Sequence, residues 1–199
     1  MPIISDIQQQ KNNPNRYSIY VDDKYAFPLS ANALLDTGLH RGQELTEEEL
    51  TATRTKAELM RGYDQALNYI ALRKRTNREV GDYLKRKEYG QEAIDQIIEK
   101  LMDARLLDDT DFAESFVRDR QLLKPRSKRQ LTAELRKKGA DRESIEAVLA
   151  NVSTDDELAA LREVINKKLT RYSDQQKLIR YLQGQGFAYS MIKQALNQD

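Results

Sequence analysis

"SKRQLTAELRKKGADRESIEAVL", residues 127–149, decides how this chain folds. Ser127 reads as a helix cap whose side-chain oxygen takes up a free amide of the first turn, worth ~1 kcal/mol. Gln130 stands three residues on, where a capping box places its partner. Leu131 and Leu135 share one helix face. Gly139 suits a left-handed stop. Ile145, Val148 and Val152 then begin a second apolar stripe. The spacing predicts helix, tight turn, helix.

Working outward, the same pattern occurs on both sides, in "TNREVGDYLKRKEYGQEAIDQII" (76–98) and "DQQKLIRYLQGQGFAYSMIKQAL" (174–196). The caps are Thr76, Ser127 and Asp174. Glu79 and Gln130 are box partners, and Lys177 leaves the third box incomplete. Val80, Leu131 and Leu178 follow the caps, then Leu84, Leu135 and Leu182, then Ile94, Ile145 and Ile192. Gly186 matches Gly139, whereas the first copy has Glu88 there. The second stripes run Ile94–Ile97–Leu101, Ile145–Val148–Val152 and Ile192–Ala195–Leu196. Ahead of each cap lies a further helical pattern: Ala66–Ile70–Arg73, Phe112–Phe116–Arg120 and Leu158–Leu161–Ile165. Each copy therefore reads as three helices, and stacked neighbours are expected to share a core.

The first 45 residues differ. "RYSIYV" (16–21) alternates Tyr17, Ile19 and Val21 against Ser18 and Tyr20; "DDK" and "YAF" (25–27) complete a hairpin pattern, and "IISDIQQQ" can add a strand. A short helix is expected over 29–36, stopped by Gly38, and Thr46 with Glu49 forms a capping box for the next helix. The fold class expected is mainly α: three tandem three-helix repeats in an elongated, curved, solenoid-like body, preceded by a small module containing a β-hairpin. The expected domains are 1–45 (β-containing module), 46–107 (first repeat with a leading helix), 108–154 (second repeat) and 155–199 (third repeat).

Composition excludes several classes. With no cysteine there are no disulfides, thiolate metal sites or Cys nucleophile. No apolar run approaches the ~20 residues of a membrane span, and no secretory h-region opens the chain, so a cytoplasmic protein with no membrane partner is expected. "LLDDTDFAESFVRDR" (106–120) crowds Asp108, Asp109 and Asp111 together. An ordered cation loop would show a glycine and a terminal glutamate, which are missing. These aspartates read instead as a helix start, with Asp109 as the cap, and Phe112 and Phe116 as core anchors. His40, the single histidine, lies between Gly38 and Gly42 and reads as a turn residue. "GQG" at 184–186 is too short for a dinucleotide fingerprint and follows a helix. No catalytic constellation remains, so neither an enzyme nor a cofactor or metal site is expected.

Charge is informative. The net value of +1 conceals alternating blocks: +6 over 54–87, −7 over 88–116, +7 over 118–142 and −5 over 143–163. Cations recur at each middle-helix cap, mostly just ahead of it: Arg73, Lys74 and Arg75; Lys124, Arg126, Lys128 and Arg129; Lys167, Lys168 and Arg171. Capping of the preceding helix accounts for some of them, and charge runs are commonly solvated faces. Lys128 and Arg129, however, sit in a first turn, where cations are unfavourable. If the repeats stack in one sense, the three clusters line one edge, the candidate binding site. Arg136, Lys137 and Lys138 read as ordinary capping, and Tyr172 as a packing residue rather than a base-stacking one.

"DDTDFAESFVRDR", "LTAELRKKGADRESIEAVL" and "LIRYLQGQGFAYSMIKQAL", in that order, resemble the RecX family over about residues 55–199. The carrying residues are Asp109, Phe112-Ala113, Lys138-Gly139 and Gly186-Phe187; Glu88 departs from the small residue expected in the first unit. The resemblance implies a non-enzymatic regulator, usually an inhibitor, of the recombinase RecA. Such a protein binds the RecA–single-stranded-DNA nucleoprotein filament and modulates its ATPase, strand-exchange and coprotease activities in DNA repair, recombination and the SOS response. Weak binding to single- or double-stranded DNA and a monomeric state go with this expectation. The residues leave open whether the basic edge faces phosphate or an acidic filament surface. A general DNA-binding module and a protein scaffold, each acting without RecA, are the alternatives.

Overall fold

The structure, a computed structural model, describes residues 1–172 and 174–197. Three strands come first: β1 (Ile4–Gln10), β2 (Asn13–Val21) and β3 (Lys24–Ser30), antiparallel in the order β1-β2-β3. The Asp-rich turn closes the β2–β3 hairpin with Asp22 and Asp23 both at positive φ, the conformation a two-residue hairpin loop demands and aspartate tolerates. Ile19 pairs with Ile7 on one side and Phe27 on the other, which places the apolar side of the alternation in a core.

Ten helices follow among the described residues: α1 (Ala31–Thr37), α2 (Glu47–Ala71), α3 (Asn77–Arg86), α4 (Gln91–Asp103), α5 (Asp109–Leu123), α6 (Lys128–Lys138), α7 (Arg142–Ala150), α8 (Thr154–Leu169), α9 (Gln175–Gly184) and α10 (Tyr189–Leu196). Gly38 ends α1 in the left-handed conformation, and Thr46 with Glu49 makes the complete capping box at α2. The protein is mostly helical, with three three-helix domains behind a small antiparallel sheet.

The chain divides into two compact units, Met1–Arg73 with Gly81–Ala104, and Lys74–Val80 with Arg105–Asp199. In the first, Ile4, Ile19, Phe27, Leu29, Ala33, Leu45 and Ala57 form one cluster, so α1 and α2 cover the sheet. Further along, α2 meets α4 at Gly62, where a Cβ would lie 2.4 Å from Ile97 Cδ1 and 3.0 Å from the Tyr89 ring. Only glycine permits that approach. The α4 stripe Ile94, Ile97 and Leu101 is buried.

The second unit holds two separate cores. Phe112, Ala113, Val117, Leu131, Leu135, Ile145, Val148 and Val152 cluster among α5–α7; Leu158, Leu161, Ile165, Leu178, Leu182, Phe187, Ile192 and Ala195 cluster among α8–α10. This corrects the expectation of a core shared between stacked repeats. Three helices closed by a tight turn bury their own stripes, and neighbouring repeats meet through hydrogen bonds instead.

Candidate functional site

Those hydrogen bonds recur. Thr76, fully buried, accepts from the Glu79 amide at 3.1 Å as a cap and donates to the Lys138 carbonyl at 2.8 Å. Ser127, also fully buried, accepts from the Gln130 amide at 3.2 Å and donates to the Gln185 carbonyl at 2.7 Å. Lys138 and Gln185 each precede a turn glycine at positive φ, Gly139 and Gly186. A Cβ on Gly139 would lie 2.6 Å from Arg78 Cδ; one on Gly186 would lie 2.7 Å from Ser127 Oγ and 3.0 Å from Arg129 Cβ. The residue after each cap completes the joint: Asn77 N donates to Asp109 Oδ1 at 2.8 Å, and Lys128 N to Glu157 Oε1 at 2.9 Å. The cap of one repeat thus fits the turn and first helix of the next, twice in the same sense.

Two sequence expectations are corrected here. The cap of α5 is Asp108, which accepts from the Thr110 and Asp111 amides. Asp109 lies inside the first turn, and its second oxygen accepts from Asp141 N at 2.9 Å, so one carboxylate ties three segments together. Burial pushes the Asp109 carboxyl up against the lowering effect of its two amides; burial also opposes ionisation of Asp141, but hydrogen bonds with Ser144, the Glu143 amide and Asp109 together hold it below the ordinary value. Gln130 does not close a box on Ser127; its Nε2 donates to Gln185 Oε1 at 2.8 Å, adding a side-chain bond to the joint. No group of His, Cys, Asp and Glu suited to a metal occurs among the described residues.

The joint positions a groove of about 220 Å³ beside it. Pro125 disfavours helix at the residue before it, so α5 stops and Lys124 leaves the helical region. Lys124 and Arg126 then face Lys167 and Lys168 from the last turn of α8, with Leu123, Tyr181 and Gln185 also lining the groove. The second and third basic clusters therefore contribute to one site. Other cations stand elsewhere. Lys128 lines a different groove with Arg136 and Arg142, Arg129 packs its stem against the Gly186 turn, and Arg171 lies in the turn after α8. In the first cluster, Lys74 is bonded to Asp111 and to Ser115, while exposed Arg73 and half-buried Arg75 flank it in the α2–α3 loop.

Pairing tempers the charge. Glu134 accepts from Arg120 at 2.6 Å and from Arg126 at 3.1 Å; burial opposes ionisation, but the two guanidiniums hold its carboxyl below the ordinary range. Lys167 pairs with Glu163 one turn away. Tyr172 stacks on Tyr181 with centroids 5.2 Å apart, and Lys168 Nζ lies 5.7 Å from the Tyr181 centroid. Sequence reasoning missed Glu134, Tyr181 and the groove's exposed Leu123, with exposed Leu122 beside it in the chain. The "QLLK" run (121–124) ahead of Pro125 carried that signal.

Comparison with known proteins covers both units. Profiles of one family match residues 2–46 (regulatory protein RecX N-terminal domain), 63–101, 108–149 and 155–196 (the first, second and third three-helix domains of RecX). A regulatory protein RecX of Bacillus subtilis (strain 168) is 33% identical over 204 residues, spanning 100% of this chain and 77% of that protein. One from Listeria monocytogenes serotype 4a (strain HCC23) is 31% identical over 201 residues, 98% of this chain and 75% of that protein. A crystal structure of regulatory protein RecX superposes with a TM-score of 0.81 at 28% identity, covering 99% of this chain and all of the other. RecX from Lactobacillus salivarius gives 0.66 at 30% identity over 70% of this chain and 95% of that one.

Proposed function

Because the chain belongs to the RecX family of regulatory proteins, we propose that it is a non-enzymatic regulator of RecA, binding the RecA–single-stranded-DNA filament and restraining its ATPase, strand-exchange and coprotease activities. The observation that carries this reading to a place on the molecule is the meeting of Lys124, Arg126, Lys167 and Lys168 in one groove. The remaining candidates, Arg73, Lys74, Arg75, Lys128, Arg129 and Arg171, do not line this groove and stay secondary in the reading. Repeated units suit a filament, since several weak contacts to successive subunits multiply. Contacts of this kind weaken with salt. A monomer in the cytoplasm, with weak affinity for bare single- or double-stranded DNA, belongs to the same reading.

The test is RecA's DNA-dependent ATPase with this protein added below stoichiometry, beside a Lys124→Ala/Lys168→Ala variant. Inhibition by the wild type, weakened about ten-fold in the variant and by raised salt, is expected. An inert wild type removes the RecA reading; an equally potent variant removes the groove.

A further inference from the structure

We propose that the groove between the ends of α5 and α8 receives a short acidic, leucine-bearing protein segment of its partner, and not the nucleic-acid strand. This rests on the regulatory reading above and names the occupant of its site. Single exposed leucines are ordinary on protein surfaces. What is not ordinary is their recurrence. Counting back from each middle-helix cap, Leu72 stands four residues ahead of Thr76, Leu123 and Leu122 four and five ahead of Ser127, and Leu169 five ahead of Asp174. Their exposures are 80%, 74%, 73% and 49%. Leu122 and Leu123 adjoin Lys124, and Leu169 adjoins Lys168, so apolar and cationic residues stand next to each other at the ends of both helices. Phosphate contacts call for neither leucine, whereas an amphipathic segment uses both kinds of side chain.

The polar groups agree. Arginine is the residue whose planar fork matches phosphate, yet Arg126 and the nearby Arg120 both bond to Glu134. A carboxylate at that position repels a polyanion backbone. What faces the groove without an ion pair among the described residues is Lys124 and Lys168, compact charges suited to single carboxylates. Base stacking needs a free aromatic face, but the groove's tyrosine, Tyr181, is stacked by Tyr172 and approached by Lys168. Charge complementarity therefore selects a partner with carboxylates, and the exposed leucines select one with an apolar side chain between them.

The experiment uses the full chain carrying Leu122→Ser and Leu123→Ser together, with its thermal midpoint compared to wild type because both side chains are already in solvent. Two readouts are taken: inhibition of the RecA–single-stranded-DNA ATPase, and anisotropy of a labelled oligo-dT strand titrated across salt. The expected result is about a ten-fold loss of inhibitory potency with unchanged oligo-dT affinity and salt slope. Unchanged potency overturns the proposal. Parallel loss of both readouts also overturns it, by making the strand the occupant. A wild type without effect on RecA sinks the regulatory reading itself, an outcome distinct from an active wild type matched by its leucine variant.

Discussion

Asp109 shows what a single side chain is asked to do. Its two oxygens serve the amides of Asn77 and Asp141, and 5% of the residue is exposed. Asn in its place keeps one acceptor and turns a second donor toward an amide. Asp109→Asn should therefore cost about 1–3 kcal/mol at neutral pH, read by urea denaturation. The pH dependence has a definite sign. Burial raises the folded-state value, so the folded protein holds this proton more tightly than the unfolded chain. The contribution is full below the ordinary aspartate value and is lost as pH climbs through the raised folded value. The stability gap between wild type and Asp109→Asn should accordingly be wider near pH 4 than at pH 7. A gap that widens toward neutrality would contradict this account of the carboxylate.

Among the elements, the turns after the middle helices differ in what they must admit. Gly186 has φ +85 and lies so close to Ser127 that a Cβ would stand 2.7 Å from its hydroxyl. Gly186→Ala combines left-handed strain with that clash and should destabilise by about 2 kcal/mol or more. Glu88 adopts φ 67 in the equivalent turn of the first repeat while its side chain is exposed. No earlier cap has to fit beneath it, so the position tolerates a side chain and bears only the backbone strain. Glu88→Gly should stabilise by about 0.5–1 kcal/mol. Thermal melts of the two variants should move in opposite directions. Helix positions, caps and turn glycines were legible in the sequence because each is a local rule: Leu131 and Leu135 share a face whatever surrounds them. The joint was not legible. It depends on which carbonyl lies over a cap, and nothing local in Ser127 or Gln130 says that Gln185 will be there. The separate cores were missed for the same reason, since an apolar stripe does not announce its partner.

At the scale of the molecule, alternating charge blocks set how a nearly neutral protein meets a polyanion. The blocks could be counted in the sequence, and the convergence of Lys124 with Lys168 could not, because it depends on how α8 returns past the end of α5. Nor could the counter-charge: Glu134 sits mid-helix in α6 and pairs with arginines from two other segments, offsetting one of their two charges. Glu134→Gln should release one positive charge beside the groove. Affinity for oligo-dT at low salt should rise a few-fold, and the log–log salt slope should steepen by about 0.7. An unchanged slope would mean that Arg120 and Arg126 stay sequestered without their carboxylate.

The hydroxyl caps have a final implication for which side chains can stand at a joint. Thr76 and Ser127 must each accept a hydrogen bond from an amide and donate one to the carbonyl of the following copy. A carboxylate can do the first and not the second. Asp174 holds the corresponding place in the third copy, accepting from Gln176 and Lys177 and standing in solvent. As a carboxylate it caps its own helix and has no hydroxyl proton to offer a carbonyl, so a joint of the Thr76 and Ser127 kind requires serine or threonine at this place.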